Sequence, residues 1–441
     1  MIVLAGSAVT LTGDAMAGLA ISWWILSDTG SAALMSLVAV VTVASGLVAG
    51  PWTGTIADRH GPRLILMVTE SGRAVIYAAM AWAASFDMLS LPWTLAGIAA
   101  ARTLGSAYRP AMFGIIPKLV STDYLERANA WVETVTSGSS LWGPALGGAV
   151  YAAWGLPAVL YLNAVSFALS ALSLAVVRVP KPAVAEPATS VPADAPAAEG
   201  PSDWEPVLPP QPGPGARLGY WHDLRAGLAF VWRDALLVYD MVFSSLTNFF
   251  VNTTMILLPV VILRRFQLGP EAYGLLRTAL PAGLLIGAQL AGRVLPWVAR
   301  GQRFFGLNLL VAPLLMVLAV SNHWAPDVLA LALAGMVLGM SNVLMVSALQ
   351  RRIPPEFQSR SMAVMSTVDM ALTPAGQVAA GVLADTVGAS PTILMAAGGT
   401  AVGLFFTRYL PGYACFLEAL QIAADSKTRA RDRRESVSAG P

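Results

Sequence analysis

Long apolar runs separated by short charged turns set the pattern of this chain. Residues 29–57 make 29 positions without a charged side chain, and residues 134–177 make 44. A membrane-spanning helix needs about 20 mostly apolar residues. The charge-free runs 241–263, 304–326, 328–350 and 386–407 each fit one span. The run of 44 is too long for one helix, and "WGLP" at 154–157 divides it into two. With spans that tolerate a buried charge, the pattern predicts twelve transmembrane helices, at about 2–26, 33–56, 64–86, 93–116, 128–153, 158–178, 237–263, 272–296, 304–322, 328–349, 361–386 and 391–410. The first run lacks a basic leader and continues to Ser27, so it reads as a span and not as a cleavable signal.

Composition agrees with that reading: 56% of the 441 residues are hydrophobic and 12% charged, against about a quarter charged in soluble domains. The placement of charge says more than the net +2. Lys and Arg gather on one side of the predicted spans and in the tail, while the other side holds only Arg264 and Arg265. The positive-inside rule then puts both termini in the cytoplasm of a multi-pass cell-membrane protein. No basic face suits nucleic acid, and the single Cys415 can form neither an internal disulfide nor a thiolate metal site.

Residues 180–215 contain 11 prolines among 36 positions, which predicts an extended linker without a core. Trp221, Leu224, Leu228 and Val231 then recur at helical spacing, as in a short helix lying on the inner leaflet. The tail beyond Gly412 is charged and carries no assigned function. A shift of 233 residues pairs Gly54 with Gly287, Arg127 with Arg360, Gly143 with Gly376, Gly148 with Gly381 and Gly155 with Gly388. The organisation expected is a six-helix bundle over 1–178, a linker over 179–220, the interfacial helix with a second six-helix bundle over 221–411, and a tail over 412–441.

The loop "GTIADRHGPR" resembles the motif between helices 2 and 3 of the major facilitator superfamily, with Gly54, Asp58, Arg59, Gly61 and Arg63 at the matching positions. The resemblance implies a gating latch in which Asp58 faces the N-terminal end of helix 11 across the bundle interface. A plain basic turn is the competing reading. "WGPALGG" resembles the helix-5 element of facilitator exporters; Gly143, Pro144, Gly147 and Gly148 match it, though Ser139 and Ala130 stand where the family has further glycines. Tight helix packing alone would also account for it. "IPKLVSTDYLERANAW", "YLNAVSF", "DLRAGLAFVWRDALL" and "IPPEFQSRSMAV" resemble the branch of enterobactin-type siderophore exporters and macrolide efflux proteins.

Charged residues inside spans are costly and mark candidate sites. Asp14 falls mid-way along the first span and Arg102 near the middle of the fourth. The resemblance places helices 1 and 4 at a central cavity, so the two are expected to pair there, either as a titrating couple or as a static one. Glu70 and Arg73 lie one helical turn apart on the third span and are expected to neutralise each other at the periphery. Asn248, Asn252 and Asn342 offer amides to a polar substrate or, equally, to hydrogen bonds between helices, and Asp369 is a second carboxylate for gating or coupling.

The expected activity is secondary transport, as proton-coupled efflux of a small amphiphilic molecule (a drug, macrolide or siderophore) by an antiporter that works as a monomer in the lipid bilayer. Import of a nutrient on the same fold is the alternative. An intramembrane enzyme is disfavoured because His60, His222 and His323 all fall in loops. No phosphate-cradling loop or ion filter is visible, and no metal or cofactor is expected.

Overall fold

A computed structural model describes residues 2–108, 111, 112, 115, 125–176, 231–299, 302–353 and 355–438, without the side chains of 2–5, 47, 50–60, 125–130, 355–360, 363, 370 and 426–438. Among these residues every regular element is helical. In sequence order the longer ones are α1 (Ile2–Thr29), α2 (Ala32–His60), α3 (Pro62–Ser85), α4 (Leu91–Gly105), α5 (Leu125–Val176), α6 (Ala235–Met255, continued by the short turns Leu258–Val260 and Val261–Phe266), α7 (Pro270–Val298), α8 (Arg303–Leu309), α9 (Val311–Val320), α10 (Trp324–Arg352), α11 (Pro355–Ala371), α12 (Thr373–Thr386), α13 (Ala389–Thr407) and α14 (Pro411–Ser438). Eight described helical segments are long and apolar enough to cross a bilayer. The predicted linker 179–220 and the interfacial helix from Trp221 as far as residue 230 lie outside the described residues, while Val231 is described and buried.

Glycines at positive φ set the turns. Gly61 at φ 80° precedes α3, and Gly155 at φ 74° splits α5 into two arms at the predicted "WGLP" break. Gly388, the repeat partner of Gly155, has φ 96° and starts α13. The same backbone device thus recurs at both positions paired by the 233-residue shift. Two expectations change. The eleventh span is divided between α11 and α12 at Leu372, just before Pro374. The tail is not merely charged chain, for α14 starts at Pro411 and buries Tyr413, Phe416 and Leu420. Phe416 stacks on Tyr239 of α6 and meets Phe304 of α8 edge-on at 4.6 Å, so α14 is docked on one end of the second bundle.

Close backbone approach holds each bundle. In hydrocarbon the attraction between helices is dispersion and polar contact, which rewards small residues at crossings. Gly283 and Gly287 of α7 lie against α10, and Gly335 and Gly339 of α10 lie against α7. A Cβ on Gly287 would stand 2.0 Å from the Met336 carbonyl oxygen. These two Gly-x-x-x-Gly pairs explain the long α7–α10 contact, and they pass unnoticed when only charge is followed along the sequence. Gly287→Leu is expected to cost about 3 kcal/mol or more through overpacking against backbone, read as a lowered melting temperature in detergent. Gly306→Leu should leave the melting temperature unchanged, because no atom lies within 4 Å of that glycine's open face.

Candidate functional site

Asp14 points from α1 into a cluster of charge. Its Oδ2 pairs with Arg73 Nη2 of α3, and Arg102 Nη1 of α4 stands 3.9 Å from the same oxygen. Arg73 Nη1 also lies 3.7 Å from Glu70 Oε1. Two carboxylates and two guanidiniums therefore share one site, with formal charges that cancel. Solvent reaches them unequally: the side chain of Glu70 is 0% exposed, Arg73 7%, Asp14 13% and Arg102 35%.

The expected Asp14–Arg102 pair is therefore only the outer part of the site. Arg73 was expected at the periphery, neutralising Glu70, yet it is the buried hub. The reason is reach: the guanidinium spans the gap between α3 and α1 and lies over the Phe167 ring, 4.0 Å from its centroid. Tyr77 stacks on the same ring, with centroids 5.6 Å apart.

The wall behind Asp14 comes from "YLNAVSF", in the second arm of α5. A Cβ on Gly13 would stand 2.4 Å from Asn163 Oδ1 and 2.8 Å from Ser166 Oγ, so the glycine beside Asp14 lets α1 rest on this polar face. Ser170, one turn further, faces Glu70. Asp14 Oδ1, Arg73 Nε and Asn163 Nδ2 are buried without a hydrogen-bond partner among the described residues. Buried polar groups left this way are costly and recur at working sites. The motif that suggested a branch by resemblance is thus the surface against which the charges are held.

The remaining candidates fall elsewhere. Asp369 accepts a 3.0 Å hydrogen bond from Ser245 of α6. Asp240, also on α6 and not singled out from the sequence, is buried and accepts from Ser244 at 3.2 Å. It sat at the edge of a predicted span, where a charge passes for a loop residue. Asn252 donates to the Asn248 carbonyl at 2.8 Å, while Asn248 and Asn342 are open at the helix surface. A groove of about 540 Å³ between α3 and α4 is lined by Met80, Trp82, Met88 and Trp93. Both tryptophan rings there are exposed, as interfacial anchors are, and the groove holds none of the site's charges.

Both motifs have structural consequences. Gly143 and Gly147 press α5 onto Ala15 and Met16 of α1, whereas Gly148 faces α7 of the other bundle, where a Cβ would stand 2.3 Å from the Pro270 carbonyl oxygen. The Pro144 carbonyl oxygen in turn would be 2.5 Å from a Cβ on Gly274. The element therefore packs within one bundle on one face and between bundles on the other. In the loop motif Arg63 donates to the Leu174 and Ala175 carbonyls at 3.0 and 2.7 Å, closing the end of α5 inside its own bundle. The backbone of Gly54, Asp58 and Arg59 is the last turns of α2; their side chains lie outside the described residues.

The profile of the Major Facilitator Superfamily matches residues 3–374. This chain belongs to the major facilitator superfamily. It is therefore a membrane transporter. Its relatives include macrolide efflux protein A of Streptococcus pyogenes, 21% identical over 399 residues that cover 89% of this chain and 90% of that protein. Multidrug efflux pump Tap of Mycobacterium tuberculosis is 26% identical over 403 residues, covering 89% and 88%. Among solved structures, a bacterial homolog of the human lysosomal transporter Spinster, inward-facing and unoccupied, aligns with a TM-score of 0.64 at 12% identity, over 96% of each chain. A bacterial homologue of the iron transporter ferroportin, inward-facing, aligns at 0.63 and 16% identity, over 92% of this chain and 98% of that one. At these identities the two structures speak for the facilitator fold alone.

Arg73 carries the charge balance of this facilitator's first bundle. Arg73→Met should leave two buried carboxylates short of a cation and cost about 3–5 kcal/mol, measured as loss of melting temperature and of monodisperse protein. Arg102→Ala should cost much less, since that side chain is partly solvated and the pair is longer. Equal losses from both substitutions would show that Arg73 is not the hub.

Proposed function

We propose that this transporter exports a small amphiphilic molecule in exchange for protons, by alternating access between its two bundles. The carrying observation is the cluster of Asp14, Arg73, Glu70 and Arg102. A carboxylate held between two arginines in a span is an exchange site: a proton or a cationic cargo on the acid frees an arginine, and the bundle repacks around the new charge. The relatives named for macrolide and multidrug efflux, both matched over most of their length, support the cargo class and the outward direction. The open amides of Asn248 and Asn342 and the partly exposed Arg102 are groups that a polar part of the cargo would meet.

In this reading the face with the α1–α2 turn at Gly30 is the outer one, and the face with Gly61 is cytoplasmic, following the distribution of Lys and Arg. The protein acts as a monomer in the cell membrane. Asp58 belongs to the gate on the Gly61 face, where its carboxylate suits the N-terminal end of a helix from the other bundle.

The test is transport in everted vesicles energised by respiration, with erythromycin and ethidium as probes. The wild-type protein should accumulate probe inside these vesicles and lose that activity when the proton gradient is collapsed. Asp14→Asn should lower the rate at least tenfold at unchanged protein level. Probe movement out of the vesicles would indicate import, and full activity of Asp14→Asn would remove Asp14 from coupling. Asp58→Asn should cripple transport by a similar factor while insertion remains near normal; a fully active variant would reduce that loop to a turn.

A further inference from the structure

The two arginines on the face poor in Lys and Arg have distinct partners. Arg265, on the turn that ends the α6 segment, donates to the Leu318 and Ala319 carbonyls at 3.1 and 2.8 Å and closes the end of α9 within its own bundle. Arg264 reaches across instead. Its Nη2 donates to the Gly30 carbonyl of the first bundle and, at 3.0 Å, to Asp385 Oδ1 at the end of α12.

Asp385 holds the start of α2. Its Oδ1 accepts from the Ala32 backbone N–H at 3.0 Å, and its Oδ2 accepts from the Ala33 N–H at 2.9 Å and the Ser31 hydroxyl at 2.8 Å. Ser31 Oγ accepts in turn from the Leu34 N–H at 3.2 Å, and the Ser31 carbonyl accepts from Met35 at 3.2 Å. The four N–H groups that begin a helix have no partner within it, and here two of them are satisfied by a carboxylate from the opposite bundle. The negative charge also faces the positive end of the α2 dipole.

The backbone around the contact is shaped for it. Gly381, one turn before Asp385, lies so close to α2 that a Cβ would stand 2.6 Å from the Ala32 carbonyl oxygen. Arg264 sits on a π-helical turn, Val261–Phe266, that stops at Gln267 in the left-handed region with φ 53°. Such turns are uncommon and re-aim side chains. The 233-residue shift relates Gly381 to Gly148, whose contact with Pro270 is the matching seam on the other side of the protein. There Ala152 stands where Asp385 does, and α7 begins with Pro270 and its own Glu271. One seam is capped from across the interface, while its counterpart has no side-chain cap and carries only an acidic residue in the first turn of its own helix.

We propose that Asp385 is the positioning residue of the gate on the Gly30 face, with Arg264 as its second grip. The two residues from one bundle clasp the Gly30–Ala33 turn of the other, so this face opens only when the whole set of hydrogen bonds is released together. Asp385 and Arg264 are both partly exposed, at 25% and 41%. Water can therefore replace each bond as it breaks, which keeps the latch reversible. The proposal rests on alternating access between the bundles, and its test needs neither a cargo nor a proton gradient.

Ser36 supplies the reporter. It is 0% exposed in the closed face and packs beside Gly381. In a Cys415→Ser background, Ser36→Cys is labelled with a maleimide on protein purified in micelles, where both faces meet the reagent. Asp385→Asn should raise the labelling rate at least tenfold, and Arg264→Gln should raise it by a smaller factor. A merely stabilising role would lower the melting temperature and leave labelling unchanged. Parental labelling in both variants overturns the proposal, whatever the outcome of the Asp14→Asn transport assay. If Asp385→Asn does not yield monodisperse protein, Arg264→Gln decides alone, since it leaves the caps of α2 in place.

Discussion

Hydrocarbon offers no water to a polar group, so every donor, acceptor and charge within the spans has to be satisfied by the protein itself. Most of this chain meets that demand trivially, through helical backbone bonds and apolar side chains. The places where it does not are few, and they organise the structure. Four charges in the first bundle are gathered into one cancelling cluster. The ends of α2, α5 and α9 are closed by Asp385, Arg63 and Arg265, each reaching from a different helix. Specificity of packing follows from these obligations as much as from the shape of apolar side chains.

The same constraint separates the two kinds of contact between helices. Within the second bundle α7 and α10 meet glycine to backbone. Such contacts are numerous, rigid and costly to separate. Between the bundles, the seam of α5 with α7 is also built on glycine, but the seam of α2 with α12 adds charged hydrogen bonds at a partly solvated edge. An interface that must part and close again is better served by bonds that water can take over than by a buried ion pair, whose separation would strand charge in lipid.

The cluster around Asp14 shows the opposite economy. Arg73 is stacked on Phe167, paired with Asp14 and near Glu70, and solvent scarcely reaches it. The guanidinium pairs closely with Asp14 and stands 3.7 Å from Glu70, so one buried cation serves two carboxylates. Arg102, 35% exposed beside the same aspartate, forms the solvated edge of the cluster.

Sequence alone determined the helical class, the membrane-spanning character and the family. Each is written in local or periodic features: runs of apolar residues long enough for a bilayer, glycines where the backbone needs positive φ, and a loop motif at one turn. Asp14 was recognisable because a carboxylate in mid-span has few innocuous explanations. Its partner was not, since Arg73 and Arg102 are both arginines on spans, and only the packing of α1 and α3 against α5 decides which guanidinium reaches it. The docking of α14, the bifacial use of "WGPALGG" and the trans-cap of α2 by Asp385 were hidden for the same reason. Residues 32 and 385 become neighbours through the packing of two bundles, and a long-range contact between polar groups leaves no period or spacing in the chain that makes it.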